Sequence, residues 1–320
     1  LVAYFHQLVL ENPVFLFIDS LDQLTDENQG RSQISFLKGI RPHPDTRIVV
    51  SCLPDEIEIN PLSGLIYMYY CETRLNAGKV PRVVVEMPKD RVLDEAMEIV
   101  DALLKKQGRR LQEEQRIMVR QKISEEKEKT ALYIHLAVGV ISKWTSEVDA
   151  NVSLKGGVIA LIKQLFETLE HQYGKELVRA ALGFLTFAVK GVTDIEMEDL
   201  LSLRDSVLDK VFQYVKPNVR RLPTHVWQRL KSAMDGLITE GEHGCILWFH
   251  RQLRETAEQS FASEKAIVHK YMAVYFGNLV EKKLAMERNI EEQQWTVQGH
   301  PFDKTSVVNA RRCCEASYHM

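Results

Sequence analysis

The first ninety residues alternate short apolar runs with polar or helix-length stretches. The run 14–18 contains five apolar residues, follows Asn12-Pro13 and ends at an acid. The runs 47–52 and 81–86 are also rich in Val, and Pro or Gly bounds each of them. Short runs of this kind, separated by helix-length segments, are typical of parallel strands that are buried on both faces. The pattern predicts the C-terminal part of an α/β domain.

Beyond Pro88 the apolar positions repeat at helical spacing. Such stripes run through 93–104, 132–144, 177–189, 226–238 and 267–279, and a charged helix is predicted over 112–123. Thr193-Asp194 is a predicted helix cap, and a strand-like run follows Gly244. Three helices followed by a short β-element are the order of a winged helix. The Ser, Asp, Asn and Gly residues of 145–157 predict a linker before it.

Composition narrows the class of protein without indicating a function. The 320 residues are 45% hydrophobic and 27% charged, and the formal net charge of −3 gives no general bias toward nucleic acid. The five cysteines lack CxxC spacing, which supports neither a disulfide framework nor a zinc site and favours a reducing compartment. The apolar runs are too short to cross a bilayer. We therefore expect a cytoplasmic protein without a membrane span.

The most informative segment is VFLFIDSLDQL, residues 14–24. A strand that ends in Asp19 places a carboxylate at the C-terminal edge of a parallel sheet, where the ligands of α/β proteins bind. In P-loop NTPases the acid at this point holds Mg²⁺ beside the β- and γ-phosphates. Asp22 lies three residues further on and could orient the attacking water. The alternative is a strand followed by an acidic helix cap, which is a common pattern without a catalytic role.

Several segments, taken in order, resemble the NACHT-type STAND ATPases, a class of P-loop NTPases. The stretch 14–56 is similar to their Walker B and sensor 1 region. GRRLQEEQ and ALYIHLAVG resemble their helical domain, and RLPTHVWQRL and ILWFHRQLRETA resemble their winged helix. NARRCCEASYHM resembles the start of the region that follows it. The likeness extends in particular to the NACHT and WD-repeat proteins and their nephrocystin-3 and telomerase-protein-component relatives.

This resemblance implies roles for four residues. Asp19 would be the Walker B acid that coordinates Mg²⁺ through water, and Asp22 would be the second, catalytic acid. Many ATPases have that second acid, a Glu, at the position of Ser20. Ser51 stands at the sensor 1 position, near the γ-phosphate. His250 matches the histidine that in many relatives contacts the β-phosphate of ADP and holds the closed state. A packed histidine that donates to a backbone carbonyl is the alternative for His250.

Other features depart from the pattern of an active ATPase. No GxxxxGK[ST] occurs in the chain, and we expect the phosphate-binding loop to lie before Leu1. Leu53 stands where many members have a sensor Arg, and Ala131 replaces a proline that often helps to pack the adenine. These departures keep an alternative open, in which the protein is a catalytically inactive NACHT-like scaffold or protein-interaction module.

The predicted fold class is α/β followed by mostly α. It comprises the C-terminal part of a P-loop NTPase parallel sheet (1–88), a helical domain (89–150), a winged-helix domain (151–265) and a helical segment (266–320). The resemblance implies that this last segment leads to a downstream region of repeats, such as WD40 or TPR. It also implies an ATP/ADP-dependent molecular switch that uses Mg²⁺, hydrolyses ATP slowly and controls self-assembly or formation of a signalling scaffold. Self-association and protein partners are expected.

A basic group near the winged helix is the feature that could indicate nucleic acid. Its members are Lys216, Arg220, Arg221, Arg229 and Lys231. Winged helices of the class that this chain resembles usually pack against the nucleotide domain, and the basic residues alternate with core positions. We therefore expect no DNA binding.

The 320-residue chain is expected to bind nucleotide weakly on its own. The backbone N–H groups and the Lys that grip phosphate in P-loop proteins are not present in its sequence. Calorimetric titration with ATP and Mg²⁺ measures this affinity, with ADP as the matched ligand. A dissociation constant in the micromolar range for either nucleotide would contradict the prediction.

Overall fold

The computed structural model describes residues 2–21, 24, 34–51, 92–125, 130–144, 154–214, 217–290 and 310–320. The chain divides into two compact units, Leu1–Glu86 and Met87–Met320, and each has a hydrophobic core of its own. Asp22, Leu53 and the predicted strand 81–86 lie outside the described residues. The finer division into four domains stays a prediction.

The first unit pairs two short strands in parallel. Its elements are α1 (Val2–Glu11), β1 (Phe15–Ile18), a 3-10 turn (Ser35–Leu37) and β2 (Arg47–Val50). Phe15 lies opposite Arg47 and Ile18 lies opposite Val50. These strands occupy the positions that the apolar runs predicted. A larger parallel sheet of the P-loop type stays a prediction, because its third strand was expected among residues that are not described.

The two faces of the β1–β2 pair differ in burial. Ile18 and Val50 pack against the core of the unit, which contains Val9, Leu21, Ile34, Leu37 and Ile40. On the other face the side chains of Phe15 and Phe17 are 77% and 72% exposed. Successive side chains of a strand point to opposite faces, and the described residues cover only one of the two. Burial of the second face by further strands stays a prediction, because the expected third strand lies outside the described residues.

The second unit is mostly helical. Its helices and strands are α2 (Val92–Lys106), α3 (Glu113–Glu125), α4 (Ala131–Ile141), α5 (Val158–Tyr173), α6 (Lys175–Phe187), α7 (Asp194–Ser202), α8 (Asp205–Val211), α9 (Thr224–Ala233), β3 (Ile238–Glu240), β4 (Ile246–Trp248), α10 (Arg251–Ser260), α11 (Lys265–Phe276), α12 (Lys282–Arg288) and α13 (Ala310–His319). Each helical stripe in the sequence contains a helix, but the stripe 226–238 extends too far, because its helix ends at Ala233 and Ile238 begins β3. None of the helices in the described ranges has the length and apolarity needed to cross a membrane.

Helix α4 lies in the middle of the helical layer because it is apolar on nearly all sides. It packs against α2 on one side and α5 on the other, and Tyr133, Ile134, Leu136 and Ala137 are fully or almost fully buried. The hydroxyl of Thr130 caps its N-terminus by accepting a hydrogen bond from the Tyr133 N–H. A helix with this composition is stable only inside a core.

The winged helix is built from α6, α7 and α9, followed by the antiparallel hairpin of β3 and β4. Val192 forms an isolated antiparallel bridge with Ile246 and so adds a third short segment beside the hairpin. The predicted cap of α7 is a capping box, in which Thr193 and Glu196 satisfy each other's backbone N–H groups. Within the predicted linker, the described part begins at Leu154, which is buried.

Gly191 allows α6 and the hairpin to approach closely. Its φ of 76° is in the left-handed region, and a Cβ at this position would clash with the Ile246 carbonyl oxygen and lie 2.8 Å from Leu247 Cδ2. Gly174 has a similar φ of 90°, but nothing lies within 4 Å of the Cβ it would carry.

Gly191→Ala should therefore destabilise the chain more than Gly174→Ala. The second substitution carries only the backbone strain of an alanine in a sparsely populated conformation, on the order of 1–3 kcal/mol, whereas the first also displaces the backbone of β4. Urea unfolding followed by tryptophan fluorescence compares the two variants with the unmodified chain. Equal losses of unfolding free energy in the two variants would show that the clash of the added Cβ with β4 does not reduce stability.

Candidate functional site

Asp19 and Ser51 directly follow the two parallel strands. Since β1 and β2 end at the same edge, the two residues lie side by side, and both are exposed. Ser51 Oγ donates a hydrogen bond to Asp19 Oδ1. The Ser51 N–H donates to the Ile18 carbonyl at 3.0 Å, which continues the pairing beyond β2. The structure thus brings together two residues that the sequence assigned to one site.

Ser20 orients this pair and was missed as a functional residue. Its φ of 56° lies in the left-handed region, which is uncommon for a residue other than Gly. The Ser20 N–H donates to Ser51 Oγ at 2.9 Å, and the Leu21 N–H donates to the Ser51 carbonyl at 2.9 Å. The sequence offered a weak signal, since Ser20 is a small polar residue between the strand-ending acid and a buried Leu.

The oxygen atoms at this edge fit a Mg²⁺ ion that has few protein ligands. Mg²⁺ takes oxygen ligands, keeps several waters and is usually bound by one or two carboxylates together with phosphates. Among the described residues there is no group of three or more His, Cys, Asp or Glu side chains that could hold a metal by themselves. A single exposed carboxylate, Asp19, beside the Ser51 hydroxyl therefore fits an ion that is held mainly by water and phosphate.

His250 caps the N-terminus of α10. Its Nδ1 accepts a hydrogen bond from the Gln252 N–H at 3.2 Å, and its side chain is partly buried. An imidazole nitrogen that accepts carries no proton, so the neutral ring has its proton on Nε2. This bond uses Nδ1 only, so the phosphate contact of His250 and the alternative of a packed histidine that donates to a backbone carbonyl both stay predictions.

The predicted site residues belong to different units. Asp19 and Ser51 lie in the first unit, and His250 lies in the second. Closure of one over the other stays a prediction, as does the role of Asp22. Ala131 is the first residue of α4. The first helical position accepts a proline without loss of a helical hydrogen bond, and it also accepts an alanine. The presence of Ala131 instead of proline therefore does not disturb the start of α4.

The basic group near the winged helix is largely neutralised. Three of its members form ion pairs: Arg220 with Asp209, Arg221 with Asp199 and Lys231 with Asp194. Arg229 is exposed, and Lys216 lies outside the described residues. When cationic side chains bind the phosphates of a nucleic acid, counterions are released from the nucleic acid. A carboxylate that is already paired with the cation competes with the phosphate. The pairs are consistent with the expectation of no DNA binding, which stays a prediction.

Comparison with known proteins places the chain among the NACHT relatives. Residues 146–269 match a family model described as "NWD1-like, winged helix-turn-helix domain". Mouse NACHT and WD repeat domain-containing protein 2 is 25% identical over 353 aligned residues, which cover 97% of this chain and 19% of that protein; the human protein of the same name gives the same values. Mouse NACHT domain- and WD repeat-containing protein 1 is 29% identical over 209 residues, which cover 58% of this chain and 13% of that protein. No solved structure matches the chain.

The chain is therefore a NACHT-related sequence that contains an NWD1-like winged helix, and the resemblance seen in its motifs is confirmed. It spans about a fifth or less of the length of the curated relatives it matches. The WD repeats in the relatives' names are features of those proteins.

The capping contact of His250 can be separated from any contact with a ligand. His250→Ala removes the acceptor for the Gln252 N–H and should cost about 1 kcal/mol of stability, whereas His250→Asn keeps an acceptor at the same point and should cost less. The urea midpoints of the three chains measure this difference. If the Ala and Asn variants unfold at the same midpoint, His250 does not stabilise α10 as a cap.

Proposed function

We propose that this chain forms part of an ATP/ADP-dependent switch, in which Asp19 and Ser51 respond to the bound phosphates and His250 holds the closed state. The observation that carries the proposal is the hydrogen bond from Ser51 to Asp19 at the C-terminal edge of a parallel strand pair. Ligands of open α/β sheets bind at that edge. The relationship to NACHT proteins supports the same assignment.

Ser51 has a single hydroxyl proton, and this limits what it can do. Its oxygen accepts from the Ser20 N–H, and its proton goes to Asp19. Asp19 can accept from a cation's water shell with its remaining lone pairs, or it can turn away from Ser51 and release the hydroxyl proton. Once Asp19 turns to a hydrated Mg²⁺, which would supply charge neutralisation beside the phosphates, Ser51 is left with a proton to donate to a phosphate oxygen. The two residues thus form a local two-state pair.

His250 suits the other half of the switch. Because Nδ1 accepts from the Gln252 N–H, the proton of the neutral ring lies on Nε2 and can be donated to a phosphate oxygen without loss of the cap. The ring is held at the start of α10, next to the hairpin of the winged helix. Contact between Nε2 and an ADP phosphate would tie the winged helix to the nucleotide-bound unit.

Such a protein acts through populations of two states. ATP and ADP can shift the balance only if their affinities for the closed and open states differ. We propose that ADP stabilises the closed state, that ATP favours an open state competent for self-assembly or scaffold formation, and that slow hydrolysis, with Asp22 orienting water, resets the switch. We place this activity in the cytoplasm, with protein partners and without DNA.

A second function is favoured by Ser20. At the position where many ATPases have a catalytic Glu, this residue contributes only its backbone N–H to Ser51. Together with Leu53 and Ala131, this supports a scaffold that keeps the fold and the protein contacts but does not turn over ATP.

Asp19→Asn tests the switch in the full-length protein. Removal of the negative charge should lower the Mg²⁺-dependent part of the ATP affinity by about tenfold or more, equivalent to about 1.4 kcal/mol. Calorimetry with and without EDTA measures it. Asp45→Asn is the matched control, because Asp45 is an exposed acid in the turn before β2. Equal affinities for the Asp19→Asn protein and the unmodified protein would refute the role of Asp19.

Hydrolysis separates the two candidate functions. Slow phosphate release that disappears in Asp22→Ala supports the switch. Nucleotide binding without measurable turnover in the unmodified protein supports the scaffold.

A further inference from the structure

Helix α13 carries three titratable side chains on one face. Arg311, Glu315 and His319 are spaced by four residues, which places them one above another along the helix. The side chains of Glu315 and His319 are fully buried, whereas the neighbouring Arg312 is exposed. Buried charges are stable only where partners satisfy them, so the contacts of this face show what it docks against.

Arg311 makes the first contact. Its guanidinium binds the carboxylate of Glu196 in a bidentate manner, with Nε to Oε1 at 3.0 Å and Nη2 to Oε2 at 2.8 Å. Nη2 also donates to the Gly191 carbonyl at 2.8 Å. The guanidinium carbon lies 5.3 Å from the centroid of the Phe276 ring, within the range of a cation–π contact. Arg311 therefore joins α13 to α7 and α11.

Glu315 makes the second contact, with backbone groups that follow α6. Its carboxylate accepts from the Val189 N–H at 2.9 Å and from the Lys190 N–H at 2.8 Å. It also accepts from Arg311 Nη1 at 3.0 Å. Burial alone would raise the pKa of the Glu315 carboxyl, but hydrogen bonds from His319 and the two backbone groups bring it below its usual value. The carboxylate therefore stays ionised inside the interface.

His319 makes the third contact. Its Nε2 lies 3.2 Å from Glu315 Oε2, and its Nδ1 lies 2.6 Å from His269 Nδ1 on α11. Two ring nitrogens at this distance require a proton between them, so one imidazole donates and the other accepts. The three contacts are spaced along two turns of α13. A shift of the helix by one residue would break all of them, so they fix its register.

We propose that the winged helix and α11 form a docking surface for helix α13, and that α13 leaves this surface as a unit before the rest of the second unit unfolds. The docking surface consists of the N–H groups of Val189 and Lys190, the Gly191 carbonyl and the side chains of Glu196, His269 and Phe276. The partner it fits is a short helix with the pattern Arg-x₃-Glu-x₃-His, and the occupant is α13 of the same chain.

The polar character of the contacts explains why docking is specific and also reversible. Charges that leave a buried pair regain their hydration, so such pairs contribute less stability than their number suggests. Ala316 is the buried apolar residue on this helix between Arg311 and His319. A helix of ten residues is marginal in water without tertiary contacts. Release from the surface should therefore also unfold α13.

Docking has a consequence for the proposed switch. While α13 is docked, any chain segment joined to it moves together with the winged helix. Release of α13 would allow that segment and the winged helix to move independently. This consequence rests on the proposed function. The docking itself needs no nucleotide, so the experiment below can fail while the switch is correct, or succeed while the switch is wrong.

Native-state hydrogen exchange on the 320-residue chain tests the docking. The amides of α13 should exchange at least about tenfold faster than those of α6 and at least about tenfold slower than those of an unfolded peptide. Arg311→Ala should remove most of the protection of α13 and leave α6 protected. Cys313→Ala, at an exposed position of the same helix, is the control and should change neither.

The proposal would be overturned if α13 is unprotected in the unmodified chain, if α13 is protected as strongly as α6, or if Arg311→Ala and Cys313→Ala leave α13 equally protected. If Arg311→Ala also removes the protection of α6, Arg311→Lys replaces it. That variant keeps the charge but loses the bidentate bond, and should still weaken α13 selectively. Loss of protection in α6 and α13 together in the Lys variant would show that α13 does not detach separately.

Discussion

Parallel pairing of β1 with β2 is the constraint on which the candidate site depends. Parallel neighbours end at the same edge, so the residues that follow them, Asp19 and Ser51, meet even though 31 residues lie between them. The left-handed turn at Ser20 then directs a backbone N–H at the Ser51 hydroxyl, which in turn donates to Asp19. A ligand at this edge therefore meets groups that are already bonded to one another.

The winged helix depends on one carboxylate in a comparable way. Glu196 satisfies the Thr193 N–H in the capping box of α7 and also receives the guanidinium of Arg311. The start of α7 and the docking of α13 are thus joined at a single side chain. Because a buried carboxylate without partners is costly, both contacts are expected together while α13 is docked. Gly191 lies at the same place and permits the close approach of β4.

His250 caps helix α10, and its proposed contact with a phosphate would add a second role. The two ring nitrogens have different tasks, since Nδ1 accepts from the backbone of α10 and the proton of the neutral ring lies on Nε2. An asparagine could serve as the cap, but it would not extend as far toward a phosphate. The choice of an imidazole at this position is consistent with a role beyond stabilising the helix, and this agrees with the relationship to NACHT proteins.

The sequence alone determined many of the elements, since apolar periodicity predicted β1, β2 and several helices of the second unit, and Thr193 predicted the start of α7. Ordered motifs also determined the relationship to NACHT proteins and the choice of Asp19, Ser51 and His250. Only the tertiary structure decided that Phe15 and Phe17 of β1 are exposed, that Ser20 orients Ser51, and that Glu315 and His319 are buried with Arg311 beside them. Local patterns reflect the residues near each other in the chain. Exposure and pairing depend on segments far apart in sequence, such as Glu196 and Arg311, which meet only after folding.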